Sequence, residues 1–153
     1  MPESDMPGSG GVRPPSVTAT TTMLLIAAGR VAQRRFEAAL AEQKLTLRHI
    51  GAMGHLAHAP DISYSDLARR ARVTPQSMHA TVGQLVELGA VTTEVRGRAS
   101  YPRLTDRGRE LLAFAAASAA ACDDAFGIGD ELRETLERIV QQGLSSGAFE
   151  TGS

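Results

Sequence analysis

The chain has 153 residues, 42% apolar and 22% charged, with 4% aromatic and no Trp; this is the balance of one soluble globular domain, or two packed subdomains, with a core of Ala, Leu, Val, Ile and Met. A single cysteine, Cys122, excludes an internal disulfide framework. No run reaches the roughly 18 apolar residues of a membrane span, and no basic start leads into an apolar segment, so a cytoplasmic location without a membrane partner is expected.

Net charge is −1, but it is unevenly spread. Residues 62–110 carry 8 basic and 5 acidic side chains, whereas residues 111–153 carry 2 basic and 7 acidic ones. A basic middle and an acidic end fit a chain with one region that faces a polyanion. Of the 16 basic residues only Lys44 is a lysine. Arginine is the better fork for phosphates and base edges, although GC-rich coding also raises Arg and Ala.

Residues 1–17, rich in Pro, Gly and Ser, read as a disordered tail, and residues 147–153 as a flexible one. A first helix is predicted from about Thr20 to Gln43, with Leu24, Ala28, Val31, Phe36 and Leu40 along its apolar side. At roughly 36 Å it is long for so small a domain, which suggests contact with a partner chain. A second helix follows Thr46, a good N-cap, and runs to about Ala59, where Pro60 and Asp61 stop it. A short third helix covers Tyr64 to Arg72, with Ser63 and Asp66 in the S-x-x-D relation of a capping box.

The fourth helix has Thr74 as N-cap, Pro75 at its first position and Gly89 past its last turn. One or two residues around Val73 separate it from the third, the spacing of a helix-turn-helix. Ala90–Val95 and Ala99–Leu104 read as a two-stranded hairpin turned at Gly97, with arginines at its tip. Pro102 makes the second strand an edge or leaves it irregular there. Thr105 caps a fifth helix that runs to about Ala125, and its alanine-rich middle permits close helix approach. Gly127 and Gly129 break it. Asp130 is read as the cap of a sixth helix, with Leu132, Leu136, Ile139 and Val140 on one stripe. The fold class is mainly α with a small β-hairpin.

On the fourth helix, Met78, Val82 and Leu85 point one way, with Thr81 and Leu88 beside them. Gln76, Ala80 and Gly83 point the other way, flanked by Ser77, His79 and Gln84. That outer face carries no large apolar group, and its amide, hydroxyl and imidazole groups suit base edges in a major groove. The plain alternative is a solvated helix face; the tight turn before it and the basic hairpin after it favour readout. Arg96 and Arg98 flank Gly97 and suit a minor groove, against the alternative of a solvent-exposed turn. Arg103, Arg107, Arg109 and the N-terminus of the fifth helix are placed to hold phosphates.

The stretch from Leu45 to Leu112 resembles the MarR (multiple-antibiotic-resistance regulator) family. LTLRHIGAMGHL, YSDLARRARVTPQSMHATVGQLVELGAV and RLTDRGRELL carry the resemblance, and the helix order extends it to about residues 20–142. It implies a winged helix-turn-helix domain over 46–104 and a helical dimerisation region from 18–45 and 105–146. It also implies a recognition helix over Thr74–Leu88, a wing over Val91–Leu104, and a homodimer on a pseudo-palindromic operator in double-stranded DNA. Within that frame the DNA-binding set is Thr74, Gln76, Ser77, His79, Ala80, Gln84, Arg96, Arg98 and Arg103. The expected function is a homodimeric repressor released by a small aromatic or phenolic ligand. Two features depart from the family pattern. The wing, TTEVRGRAS, is short and has only Glu94 as a nearby acid, and Ala80 stands where relatives often have Arg. The alternative is a winged-helix protein-interaction module that no longer binds DNA specifically.

His49, His55 and His58 share the second helix, but no carboxylate or cysteine there completes a metal set, so no metal is expected. Cys122, beside Asp123 and Asp124, reads as a buried packing residue. No nucleophile–base–orienter set or phosphate loop appears, so neither catalysis nor a cofactor is expected.

Overall fold

The structure, a computed structural model, describes residues 16–146. The tails expected at 1–17 and 147–153 lie outside it, except that Val17 begins a single 3-10 turn, Val17–Ala19. The chain forms two compact units that divide after Gln33. Helix α1, Thr21–Ala41, runs through that division. In the first unit the Thr20 hydroxyl accepts from the Met23 N–H (3.4 Å) and so caps α1. Leu24, Leu25, Ile26 and Val31 are exposed there.

The second unit holds the rest of α1 and seven further elements: α2 (Leu47–His58), α3 (Tyr64–Ala71), α4 (Pro75–Glu87), strands β1 (Val91–Arg96) and β2 (Ala99–Leu104), α5 (Asp106–Phe126) and α6 (Asp130–Ser145). Local chemistry explains most of these boundaries. α1 stops two residues before its predicted end, and Lys44 then turns the chain at φ +58. The hydroxyls of Thr46, Ser63, Thr74 and Thr105 each accept a first-turn N–H of the helix they precede, satisfying donors that would otherwise lack a partner. α3 ends at Arg72 in the left-handed region, φ +55, and α4 begins three residues later.

Asp130 differs from expectation. The cap of α6 is Gly129, and Asp130 is the first helical residue, where its carboxylate pairs with Arg133 at 3.2 Å. A carboxylate in the first turn still favours the helix through the macrodipole.

One core unites the second unit. Leu40, Leu45, Met53, Leu56, Leu67, Met78, Val82, Leu85, Val91 and Leu111 are buried together. β1 and β2 pair antiparallel, with Val91 opposite Leu104 and Arg96 opposite Ala99. Pro102 sits opposite Thr93 and is fully buried, as a two-stranded ribbon of edges permits. Gly108 allows α5 to meet this hairpin closely: a Cβ there would collide with the Ala90 carbonyl oxygen and the Leu104 side chain. At the other end of α5, the Arg35 guanidinium lies 5.4 Å over the Phe126 ring, and Cys122 is buried. α6 buries none of its residues. Among the described residues no single helix is long and apolar enough to cross a membrane.

Candidate nucleic-acid interface

α4 is fixed from inside and open outside. Met78, Thr81, Val82 and Leu85 are buried. Thr74, Gln76, His79, Ala80, Gly83 and Gln84 are exposed, and Ser77 is half-buried. At the N-terminus, Thr74 Oγ1 accepts from the Ser77 N–H at 3.1 Å. Ala80 and Gly83 form a flat strip between polar side chains, a shape that lets a helix lie close to base edges.

Two outer-face residues have partners that the sequence does not announce. The His79 ring stacks on Tyr64 of α3, with centroids 4.6 Å apart and planes 14° from parallel. The Tyr64 hydroxyl in turn lies 3.1 Å from Thr93 Oγ1 in β1. Gln84 Oε1 lies 2.7 Å from Nε2 of the buried His49. His49 Nδ1 accepts from the Thr46 N–H (3.1 Å), closing a capping box, so Nε2 carries the proton and donates to Gln84. Gln84 therefore braces α4 against α2 and leaves only its amide N–H groups facing outward. His55 is half-buried and His58 exposed. Among the described residues no three His, Cys, Asp or Glu side chains gather as a metal set.

The wing has two chemically distinct parts. Its register places Thr92, Glu94, Arg96, Tyr101 and Arg103 on one face. There Arg96 donates to both Glu94 oxygens, at 3.0 and 3.4 Å, and its guanidinium lies 5.1 Å over the Tyr101 ring. Arg103 donates to Asp61 Oδ1 at 3.1 Å. Its Nε lies 2.7 Å from Glu94 Oε2 but makes no hydrogen bond, so that contact is one of charge. The hydrogen bond from Arg96 is the main cause holding the Glu94 carboxyl below its ordinary value; desolvation opposes it, and the charges of Arg103 and Arg96 add to it.

The tip is different. Gly97 takes φ +63 and Arg98 follows it in a two-residue turn, the arrangement of a turn with Gly at its first central position. Arg98 is exposed and has no hydrogen bond or ion pair among the described residues. Arg96 and Arg98 do not share a strand face, because the turn lies between them; Glu94 and Arg96 share one. Arg107 and Arg109 pair with Glu110 (3.2 Å) and Asp106 (3.4 Å) in the first turns of α5, and Arg107 also donates to Gln43. The structure thus leaves Gln76, His79 and Arg98 open to a ligand, and sets Arg96 and Arg103 among carboxylates. Asp61, Tyr64 and His49 were not in the expected set. Asp61 meets Arg103 42 residues away, Tyr64 meets Thr93 29 away and His49 meets Gln84 35 away, and no local pattern marks these contacts.

Two helices in tight succession, the second exposed along a polar face, followed by a two-stranded hairpin and backed by further helices, define a winged helix-turn-helix protein. A sequence model described as "MarR family" matches residues 43–99. The chain is 37% identical over 103 residues to the HTH-type transcriptional repressor Rv2887 of Mycobacterium tuberculosis, an alignment that covers 65% of this chain and 74% of the relative. The crystal structure of that M. tuberculosis protein in complex with DNA superposes with a TM-score of 0.64 at 31% identity, covering 81% of this chain and 97% of the other. Its complex with salicylic acid gives 0.59 at 31% identity, over 81% and 96%. The chain belongs to the MarR family.

Proposed function

We propose that this protein is a homodimeric transcriptional repressor that occupies a pseudo-palindromic operator and is released by a small aromatic acid. The observation that carries the reading is the outer face of α4, where Gln76 and His79 are free to meet base edges beside a wing tip carrying the unpaired Arg98. Rv2887 is named a transcriptional repressor and has been solved with DNA. In this account 46–104 is the DNA-binding lobe, and 18–45 with 105–146 form the dimerisation region. The exposed Leu132, Ile139, Val140 and Leu144 of α6 support that assignment. Thr74, Ser77 and Ala80 complete the contact surface, Gln84 braces it, and Arg96 and Arg103 act mainly by holding the wing in shape. The protein works by binding rather than catalysis, in the cytoplasm.

A ligand site fits where the lobe meets α5. Leu56, Pro60, Leu104 and Leu112 line a cleft between α2, β2 and α5 into which Arg103 and Arg109 also face. The apolar walls suit an aromatic ring, and Arg103 and Arg109, paired with Asp61 and Asp106 in the free chain, would exchange those partners for the carboxylate of an aromatic acid, the class to which the salicylic acid bound by Rv2887 belongs. A ligand there would act by favouring dimer geometries whose recognition helices no longer match the half-sites.

The test is selection of bound fragments from genomic DNA. An inverted repeat with half-site centres about 10 base pairs apart is expected. Gln76→Ala should cost about 1–3 kcal/mol and relax one base position per half-site. The neutralised Arg96 and Arg103, and Val95 exposed near the wing tip, favour a second reading, a protein-interaction module. Selection that enriches no sequence would decide for it.

A further inference from the structure

We infer that Tyr64 is a positioning residue for sequence readout: it fixes the His79 ring on the recognition helix and links that ring to the wing. The inference rests on the DNA-binding reading above. Tyr64 is the first residue of α3, directly after the cap Ser63. Ser63 is itself held by Asp66, whose N–H it accepts at 3.2 Å and whose carboxylate it donates to at 3.1 Å. The origin of the tyrosine side chain is thereby fixed, and its ring lies flat against His79.

His79 stands three residues after Gln76, on the same exposed face of α4. A parallel stack occupies one face of the imidazole and leaves its rim free. Among the described residues neither ring nitrogen has a hydrogen-bond partner. An exposed histidine on a helix otherwise samples several rotamers, and ordering it on DNA would cost entropy. The Tyr64 stack removes that freedom before DNA arrives. The hydroxyl contact to Thr93 makes the same side chain a strut between α3, α4 and β1, so the ring that meets bases and the hairpin that flanks them keep one relative position.

The experiment is binding-site selection on the full chain with the wild type, Tyr64→Phe, Tyr64→Leu, His79→Ala and the Tyr64→Leu/His79→Ala double variant, each checked for folding by thermal melting. Tyr64→Phe keeps the stack and loses only the hydroxyl, so base preference should persist while affinity falls about threefold. Tyr64→Leu should relax the same base position as His79→Ala, with about a tenfold loss of discrimination there, and the double variant should relax it no further. A Tyr64→Leu protein that binds all sequences equally more weakly, with that position intact, makes Tyr64 a packing residue and overturns the inference. A wild type that enriches no sequence overturns the DNA-binding reading and this inference with it. One readout needs no variant: the His79 ring protons of the wild type should be shifted upfield by the tyrosine ring current. Random-coil shifts there would overturn the stack and hence the inference.

Discussion

In the winged lobe Leu56, Leu67, Val82, Leu85 and Val91 are fully buried, and a hydroxyl side chain caps each of its three helices. In α6, Leu132, Ile139, Val140 and Leu144 are 45 to 51% exposed, and no residue is buried. The lobe closes its core within one chain: most of its large apolar side chains are buried together, and only Leu47, Val86 and Val95 are exposed singly on its surface. α6 carries apolar residues at helical spacing that the described residues leave about half exposed. Isolated exposed leucines are ordinary, but a whole helix of them is not. The contrast fits the proposed division of work, recognition by the lobe and assembly through the helix.

Ile139→Glu should break the contrast at its strongest point. Fully burying an isoleucine contributes about 1.5–3 kcal/mol; about half of that remains to be gained at Ile139, and a two-fold interface counts it twice, so dimer affinity should fall by about 1.5–3 kcal/mol. Light scattering would then show a species near the chain mass of 16.1 kDa, while the lobe keeps its melting transition. An unchanged dimer would remove α6 from the interface.

Gly108→Ala probes the joint between the regions. The added methyl meets the backbone carbonyl of Ala90, which has little room to give, so about 1–3 kcal/mol of stability should be lost in a chemical melt. A neutral effect would mean that α5 sits less tightly on the hairpin than described.

The smallest effect concerns the wing face. The Glu94 carboxyl is held below its ordinary value in the folded protein, so its contribution to stability is present above the unfolded glutamate value near 4.5. That contribution is lost as pH falls through the lowered folded value. Acid should therefore loosen the wing only below about pH 4.5, and Glu94→Gln should abolish that portion of the pH dependence. At neutral pH the same variant frees Arg96 and Arg103 from one carboxylate and should tighten non-specific DNA binding slightly. Looser binding would make Glu94 an orienting acid instead.

Features governed by neighbours in sequence were readable. Thr46, Ser63, Thr74 and Thr105 cap where their spacing says they should, because a cap is a bond within four residues. The buried stripe of α4 follows from helical periodicity. The pairing of Glu94 with Arg96 follows from strand alternation. Asp130 misled because an acid is favourable both as a cap and in the first turn, and sequence alone does not separate the two. The partners of Asp61, Tyr64 and His49 depend on how α2, α3 and the hairpin come together, and single-chain periodicity holds no record of it. Gly108 was visible as a residue but not as a point of contact, since only the approach of Ala90 gives its missing side chain a meaning.

On the proposed reading the lobe meets DNA with the outer face of α4 and the tip of the wing. The most direct test of that reading is a salt titration of wild type and Arg98→Ala against one operator fragment. Arg98 is exposed and unpaired among the described residues, so its removal changes little else in the fold. Each lost phosphate contact should flatten the slope of log affinity against log salt by about 1, hence by about 2 for a dimer that places both tips on the duplex. A slope identical to that of the wild type would contradict the account and leave the hairpin without a role on DNA.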